Sequence, residues 1–130
     1  MRLKLFVGAA LLLANASPVL AQECVGWGEP VELAGIPVTG VYPGPPEYES
    51  VAKGDAAYSA LMLHLRQPIC VNAGANAEME PHISEIELIQ LACDKKVLGR
   101  ITEGDVNTVA GTLFPAHTGY HVTQAVLQCS

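Results

Sequence analysis

From Ala57 to Val71 the chain alternates, with Leu61, Leu63 and Leu65 on one side and Met62, His64 and Arg66 on the other. A period of two with one apolar face predicts a strand covered on one side. Four further stretches read the same way. About Val31 to Val41 is apolar but interrupted by Gly35 and Pro37, which predicts a bulge or sharp bend. About Ser84 to Cys93 begins with Ile86 and Leu88 in phase, then slips to Ile89, Leu91 and Cys93. A bulge near Leu88-Ile89, or burial of both faces, accounts for such a slip. About Val106 to Phe114 sets Val109, Gly111 and Leu113 on one side, and about Val122 to Cys129 sets Ala125 and Leu127 against Gln124 and Gln128.

No stretch carries a long helical period, and Asp94 to Gly104 has room for a single helical turn. Two loops stand out. Tyr42-Pro43-Gly44-Pro45-Pro46 opens one that continues to Asp55, and Asn72 to Pro81 is rich in Asn, Ala and Gly. Five short strands in about a hundred residues predict an all-β fold, a small five-stranded OB-like barrel with little helix. In that fold the strands run 1-2-3-5-4 around the barrel, with 1 and 2 antiparallel and 3 and 5 parallel.

The ends and the composition narrow the setting. Arg2 and Lys4, the apolar run Leu5 to Leu13 and the small-residue site Val19-Leu20-Ala21 read as a signal peptide over 1–21. Cleavage after Ala21 leaves 22–130 as one domain, periplasmic or secreted. Gln22 and Glu23 separate that site from Cys24, which argues against a lipid-anchored cysteine, and no later run is long enough to span a bilayer. Without Arg2 and Lys4, five basic residues face thirteen acidic ones, a net charge of −8. Phosphate backbones need clustered Lys and Arg, so nucleic acid is excluded as a partner. A monomer acting on an unidentified envelope ligand or protein is the expectation.

Cys24, Cys70, Cys93 and Cys129 are all in the mature part, with no Cys-x-x-Cys pair, so disulfides are favoured over zinc. The barrel topology selects among the three possible pairings. Cys24 precedes strand 1 and Cys70 ends strand 2, and antiparallel pairing brings them to one end. Cys93 ends strand 3 and Cys129 ends strand 5, and parallel pairing does the same. The prediction is Cys24–Cys70 with Cys93–Cys129.

The run Gly111-Thr-Leu-Phe-Pro-Ala-His-Thr-Gly-Tyr-His-Val-Thr123 joins two apolar strand residues, a proline breaker and a polar turn with two histidines. It resembles the histidine-rich motif G-T-L-F-H-A-H-T-G-H-H-H-T of a family of exported bacterial proteins, the domain of unknown function 4431. Tyr42-Pro-Gly-Pro-Pro-Glu-Tyr-Glu-Ser50, Lys53-Gly-Asp55 and Gln67-Pro-Ile-Cys-Val71 match in the same order. The resemblance implies an OB-type barrel. Pro115, Tyr120 and Val122 stand where that family has histidine, and Asn107 where it has valine. The connection between strands 3 and 4 is shorter here, and Cys93 and Cys129 lie outside the family pattern.

Candidate site residues follow from the loops. In OB-folds the loop between strands 1 and 2 and the loop between strands 4 and 5 flank the common binding face. Here these are the 42–55 and 115–121 loops, so Tyr48, His64, His117, Thr118, Tyr120 and His121 are the expected ligand-binding residues. His117 and His121 could alternatively share zinc or copper, though no third ligand is evident. Hairpin chemistry is the competing account: Pro115 ends the strand, Gly119 supplies a positive φ, and Thr118 and Thr123 bond loop amides. Trp27 reads as an anchor onto the core. Glu85 and Glu87 read as a solvated face that blunts edge pairing. Ser50, Ser59 and Ser84 lack an activating motif, so no catalysis and no cofactor are expected. A binding module, a metal-handling protein and a purely structural envelope protein remain the three readings.

Overall fold

The computed structural model describes residues 24–130 together with Gly8. The signal peptide expected over 1–21 lies, Gly8 aside, outside the described residues. The chain forms β1 (Cys24–Val25), β2 (Pro30–Pro43), a 3-10 turn (Val51–Lys53), β3 (Ala57–Val71), β4 (Ile83–Ala92), α1 (Lys95–Leu98), β5 (Asn107–Pro115) and β6 (Ala125–Cys129). The strands run β1-β3-β2-β5-β6-β4, and pairing of β3 with β4 closes β2 to β6 into a five-stranded barrel. β2 is antiparallel to β3, and β4 is parallel to β6. Order and senses are those expected from the sequence.

Odd positions of β3 point inward. Leu63 and Leu65 join Leu33, Val71, Ile86, Ile89, Leu91, Val109, Leu113, Ala125 and Leu127 in one continuous core. Burying such a side chain stabilises by roughly 1.5–3 kcal/mol, and the closed barrel leaves little polar backbone to oppose it. β2 serves two partners. It pairs with β5 from Pro30 to Gly35 and with β3 from Gly35 to Pro43. Gly35 is the pivot, since a Cβ there would lie 2.3 Å from the His64 carbonyl oxygen.

The phase slip in β4 has a structural cause. His64 pairs with Leu88 and Ile69 with Ile86, so the four residues 65–68 of β3 face Glu87 alone. The extra residues are therefore in β3 rather than at Leu88-Ile89, while the successive burial of Ile89, Gln90 and Leu91 agrees with the alternative of a strand buried on both faces. Both disulfides form as predicted, Cys24–Cys70 with Cα atoms 4.4 Å apart and Cys93–Cys129 at 4.8 Å. Such cross-links contribute roughly 2–4 kcal/mol each and are compatible with an extracellular or periplasmic protein. No helix among the described residues is long and apolar enough to cross a membrane.

Three differences from the sequence reading concern strand ends. β1 is an unforeseen two-residue strand, aligned Cys24 to Cys70 alongside the end of β3. Trp27 anchors the same segment, donating from Nε1 to the Pro81 carbonyl at 3.1 Å while it packs on the core. β6 begins at Ala125, so Val122 to Gln124 belong to the preceding loop; Pro115 still pairs with Ala125 and is the last residue of β5. The short 94–106 connection holds its single turn through Asp94, whose side chain accepts from the Val97 amide at 2.9 Å. Asn107 closes that connection. It accepts from the Thr102 amide and donates to the Thr102 and Asp105 carbonyls, bonds that a valine cannot make.

Candidate functional site

The outer face of the barrel is where the sequence reading needs its main correction. Even positions of β3 point outward, yet Ala60 and Met62 are buried there, as are Gln90 of β4 and Val126 of β6. Met62 is therefore not a solvent-side neighbour of His64. The 116–124 loop folds back over Gln90, and the Tyr42 hydroxyl reaches Met62 Sδ at 3.5 Å. Two strand residues, Gln90 and Tyr58, hold the loop. The Gln90 side chain donates to the Tyr120 carbonyl at 3.0 Å and accepts from the Val122 amide at 2.8 Å. Its backbone amide donates to Thr123 Oγ1 at 2.9 Å, and the Tyr58 hydroxyl donates to the Tyr120 carbonyl. A buried amide with both ends bonded is stable where an unpaired one would cost a few kcal/mol.

The 44–56 loop approaches from the other side and is organised by one carboxylate. Asp55, 8% exposed, accepts from the amides of Glu47 at 2.9 Å and of Glu49 and Ser50 at 2.8 Å. These bonds hold its carboxyl below the ordinary carboxylate range, the Ser50 amide contributing most, against an opposing effect of burial. The loop contains a cis peptide bond between Pro45 and Pro46, and places Tyr48 at φ 58°.

Together the loops assemble every tyrosine of the chain into one ladder. Ring centroids are 6.4 Å apart for Tyr42 and Tyr58, 5.2 Å for Tyr58 and Tyr120, and 5.5 Å for Tyr120 and Tyr48. The last two pairs are edge-to-face, the arrangement the ring quadrupole favours. Gly119 makes the join possible, but not through a positive φ as expected. A Cβ at this position would lie 2.7 Å from the Tyr48 ring, so the glycine is the seat on which that ring rests. Burial raises the Tyr58 hydroxyl above its usual range, against a lowering by its bond with Gln90. The Tyr48 hydroxyl is raised by desolvation, then by its hydrogen bond with Tyr120. Tyr48 and Tyr120 remain 38% and 46% exposed, the outer end of the ladder.

The histidines form a separate, adjoining group. His117 and His121 are 4.7 Å apart and both lie against Phe114, at 5.5 and 5.3 Å. His121 Nδ1 accepts from the amides of His117 at 3.0 Å and Thr118 at 3.2 Å. The ring is thus neutral with its proton on Nε2, and burial followed by repulsion from His117 lowers its pKa. His117 Nδ1 bonds the Pro115 carbonyl at 3.1 Å. This geometry opposes metal binding at His121, because its one free lone pair is already taken by two amides. No group of three or more His, Cys, Asp or Glu side chains gathers within metal reach among the described residues.

Of the six expected ligand residues, the fold brings Tyr48 and Tyr120 into contact, with Thr118 accepting from the Tyr120 amide at 3.3 Å. His117 and His121 flank them. His64 stands apart, exposed on β3 between Ile36 and Leu88 and six positions from Tyr58, a path of roughly 20 Å at strand rise. Gln90 is the residue that sequence reasoning missed, because it occupies an outward strand position where the glutamine's polarity resembles any solvated face. No family model, curated protein or solved structure matches the chain.

Proposed function

We propose that this chain is an exported, non-catalytic binding module of OB type, gripping its ligand where the 44–56 and 116–124 loops meet. The observation that carries this reading is the tyrosine ladder: all four tyrosines are continuous, and its exposed end, Tyr48 and Tyr120, is supplied by both loops. Aromatic rings that are rigidly held yet open to solvent offer large contact area at small entropic cost. The strand order and the placing of the two loops support the OB assignment, in which these loops border the ligand. The resemblance to the domain of unknown function 4431 is consistent with it, since its strongest motifs are these same loops. The two disulfides and the 1–21 leader motif support a periplasmic or secreted location.

The ligand class follows from the surroundings. Glu47 and Glu49 flank Tyr48, and most of the tyrosine hydroxyls are already engaged inside the protein. A neutral or cationic ligand with flat apolar surfaces fits, such as an oligosaccharide face or a peptide, and a polyanion does not. Ligand-observed NMR against peptidoglycan-type oligosaccharides and neutral peptides tests this. A binder should weaken at least about tenfold in Tyr48→Ala and in Tyr120→Ala, the loss typical of a central aromatic contact. Binding that survives both substitutions unchanged rejects the site.

A further inference from the structure

A second surface feature borders His117. Two merging grooves of about 490 and 520 Å³ run between the Asn76–Ser84 segment and the end of β5. Their shared lining is Glu78, Met79, Pro115 and Ala116, with Glu80 and His117 beside them. Met79 is 71% exposed, the most exposed large apolar residue of the described chain.

The loop that carries Met79 is not slack. Asn76 Oδ1 accepts from the Glu78 and Met79 amides at 3.1 and 3.4 Å. The Asn76 carbonyl accepts from the Met79 and Glu80 amides at 3.2 and 2.8 Å, and Gly74 N donates to the Glu80 carbonyl at 2.9 Å. Trp27 fixes the next residue by its bond to the Pro81 carbonyl. The fold thus holds the Met79 backbone in a fixed place and leaves its side chain unburied. Methionine at such a surface accommodates varied apolar side chains, and prior ordering lowers the entropic cost of docking.

The charges around it have one sign. Glu78 and Glu80 flank Met79 in sequence, and neither Lys nor Arg lines either groove. His117 turns Nδ1 to the Pro115 carbonyl, which leaves Nε2 as its remaining polar atom. We infer that this groove docks a segment of a partner protein in which basic and apolar residues alternate. An apolar side chain would rest on Met79, Pro115 and Ala116, and flanking Lys or Arg would meet Glu78 and Glu80. The net charge of the mature chain would draw such a segment toward the protein.

The test is a 15N–1H NMR titration of residues 22–130 with acetyl-Leu-Lys-Leu-Lys-Leu-amide, and with the Glu-for-Lys version as control. The expected result is saturable shifts of the 76–80 and 116–117 amides with the basic peptide alone. Affinity should fall at least about tenfold in Met79→Ser and in Glu78→Gln/Glu80→Gln, and should weaken with added salt. Glu78 and Met79 are exposed and Glu80 is half-buried, and the remaining amide shifts report whether the fold is unchanged. Equal shifts with both peptides, shifts confined to the Tyr48 and Tyr120 face, diffuse shifts over the whole surface, or no shifts would each overturn the inference. The proposed tyrosine site stands or falls separately, because its amides are read in the same spectra.

Discussion

The two loops that meet at the tyrosine ladder are ordered by opposite means. The 44–56 loop is drawn around a charge: one carboxylate, Asp55, collects three backbone amides. The 116–124 loop is held by neutral groups, the Gln90 amide, the Tyr58 hydroxyl and an unprotonated His121. Each solution suits its place. Asp55 sits within its own loop, where several amides converge on one small acceptor. Gln90 must satisfy a carbonyl and an amide of another segment at once, and its side-chain amide presents a donor and an acceptor on two separate atoms. The lesson is that one surface can rest on two supports that fail under different conditions.

The largest effect that separates them is expected from Asp55→Ala. It removes three bonds together, so the Glu47, Glu49 and Ser50 amides should lose hydrogen-exchange protection while the Val122 amide keeps its own. Simultaneous loss at both loops would show that the supports are not independent. Gln90→Leu is the converse. It leaves the Tyr120 carbonyl and the Val122 amide without their partner, and chemical denaturation should record a loss of about 1–3 kcal/mol. An unchanged midpoint would mean that the loop is held elsewhere.

Acid separates the loops without any substitution. His121 has its folded pKa lowered below the ordinary 6.5. Its contribution is complete above that value and is lost as pH falls from 6.5 toward the lowered folded one. Protonating Nδ1 would also set an N–H against two amide donors. Asp55 is lowered from 3.8, so its contribution is complete above that value and is lost only in stronger acid. Exchange protection of the His117 and Thr118 amides should therefore weaken at a higher pH than that of Glu49 and Ser50. His121→Asn, whose oxygen can accept the same amides without titrating, should flatten the first transition. Coincident transitions would contradict the comparison. The smallest effect is expected from Gly119→Ala, which crowds the exposed Tyr48 ring and should weaken ligand binding with little change in stability.

Much of the barrel was legible because its cause is local and periodic. The alternation of Leu61, Leu63 and Leu65 specified the inner face of β3, and the slip between Ile86 and Ile89 marked the register break. Placing the cysteines at strand ends selected the disulfide pairing. The layer outside the barrel was not legible. Met62 and Gln90 sit at positions that alternate toward solvent, yet the Tyr42 hydroxyl meets Met62 and a loop some thirty residues beyond Gln90 returns over Gln90. At Gly119 the sequence suggests a turn residue, although its role is to admit a ring from residue 48. Asp55 had no local pattern to mark it as an acceptor of its own loop's amides. In each case the controlling neighbour is distant in sequence or set by loop conformation, which periodicity does not report.

The central claim is that Tyr48 and Tyr120 act as one ligand face although they belong to different loops. Photo-crosslinking in the native envelope tests it most directly, with p-benzoylphenylalanine placed in turn at positions 48, 120 and 32, the last on the outer side of β2. The account predicts the same covalent partner from positions 48 and 120 and none from 32. Different partners from 48 and 120, or equal capture at 32, would contradict it.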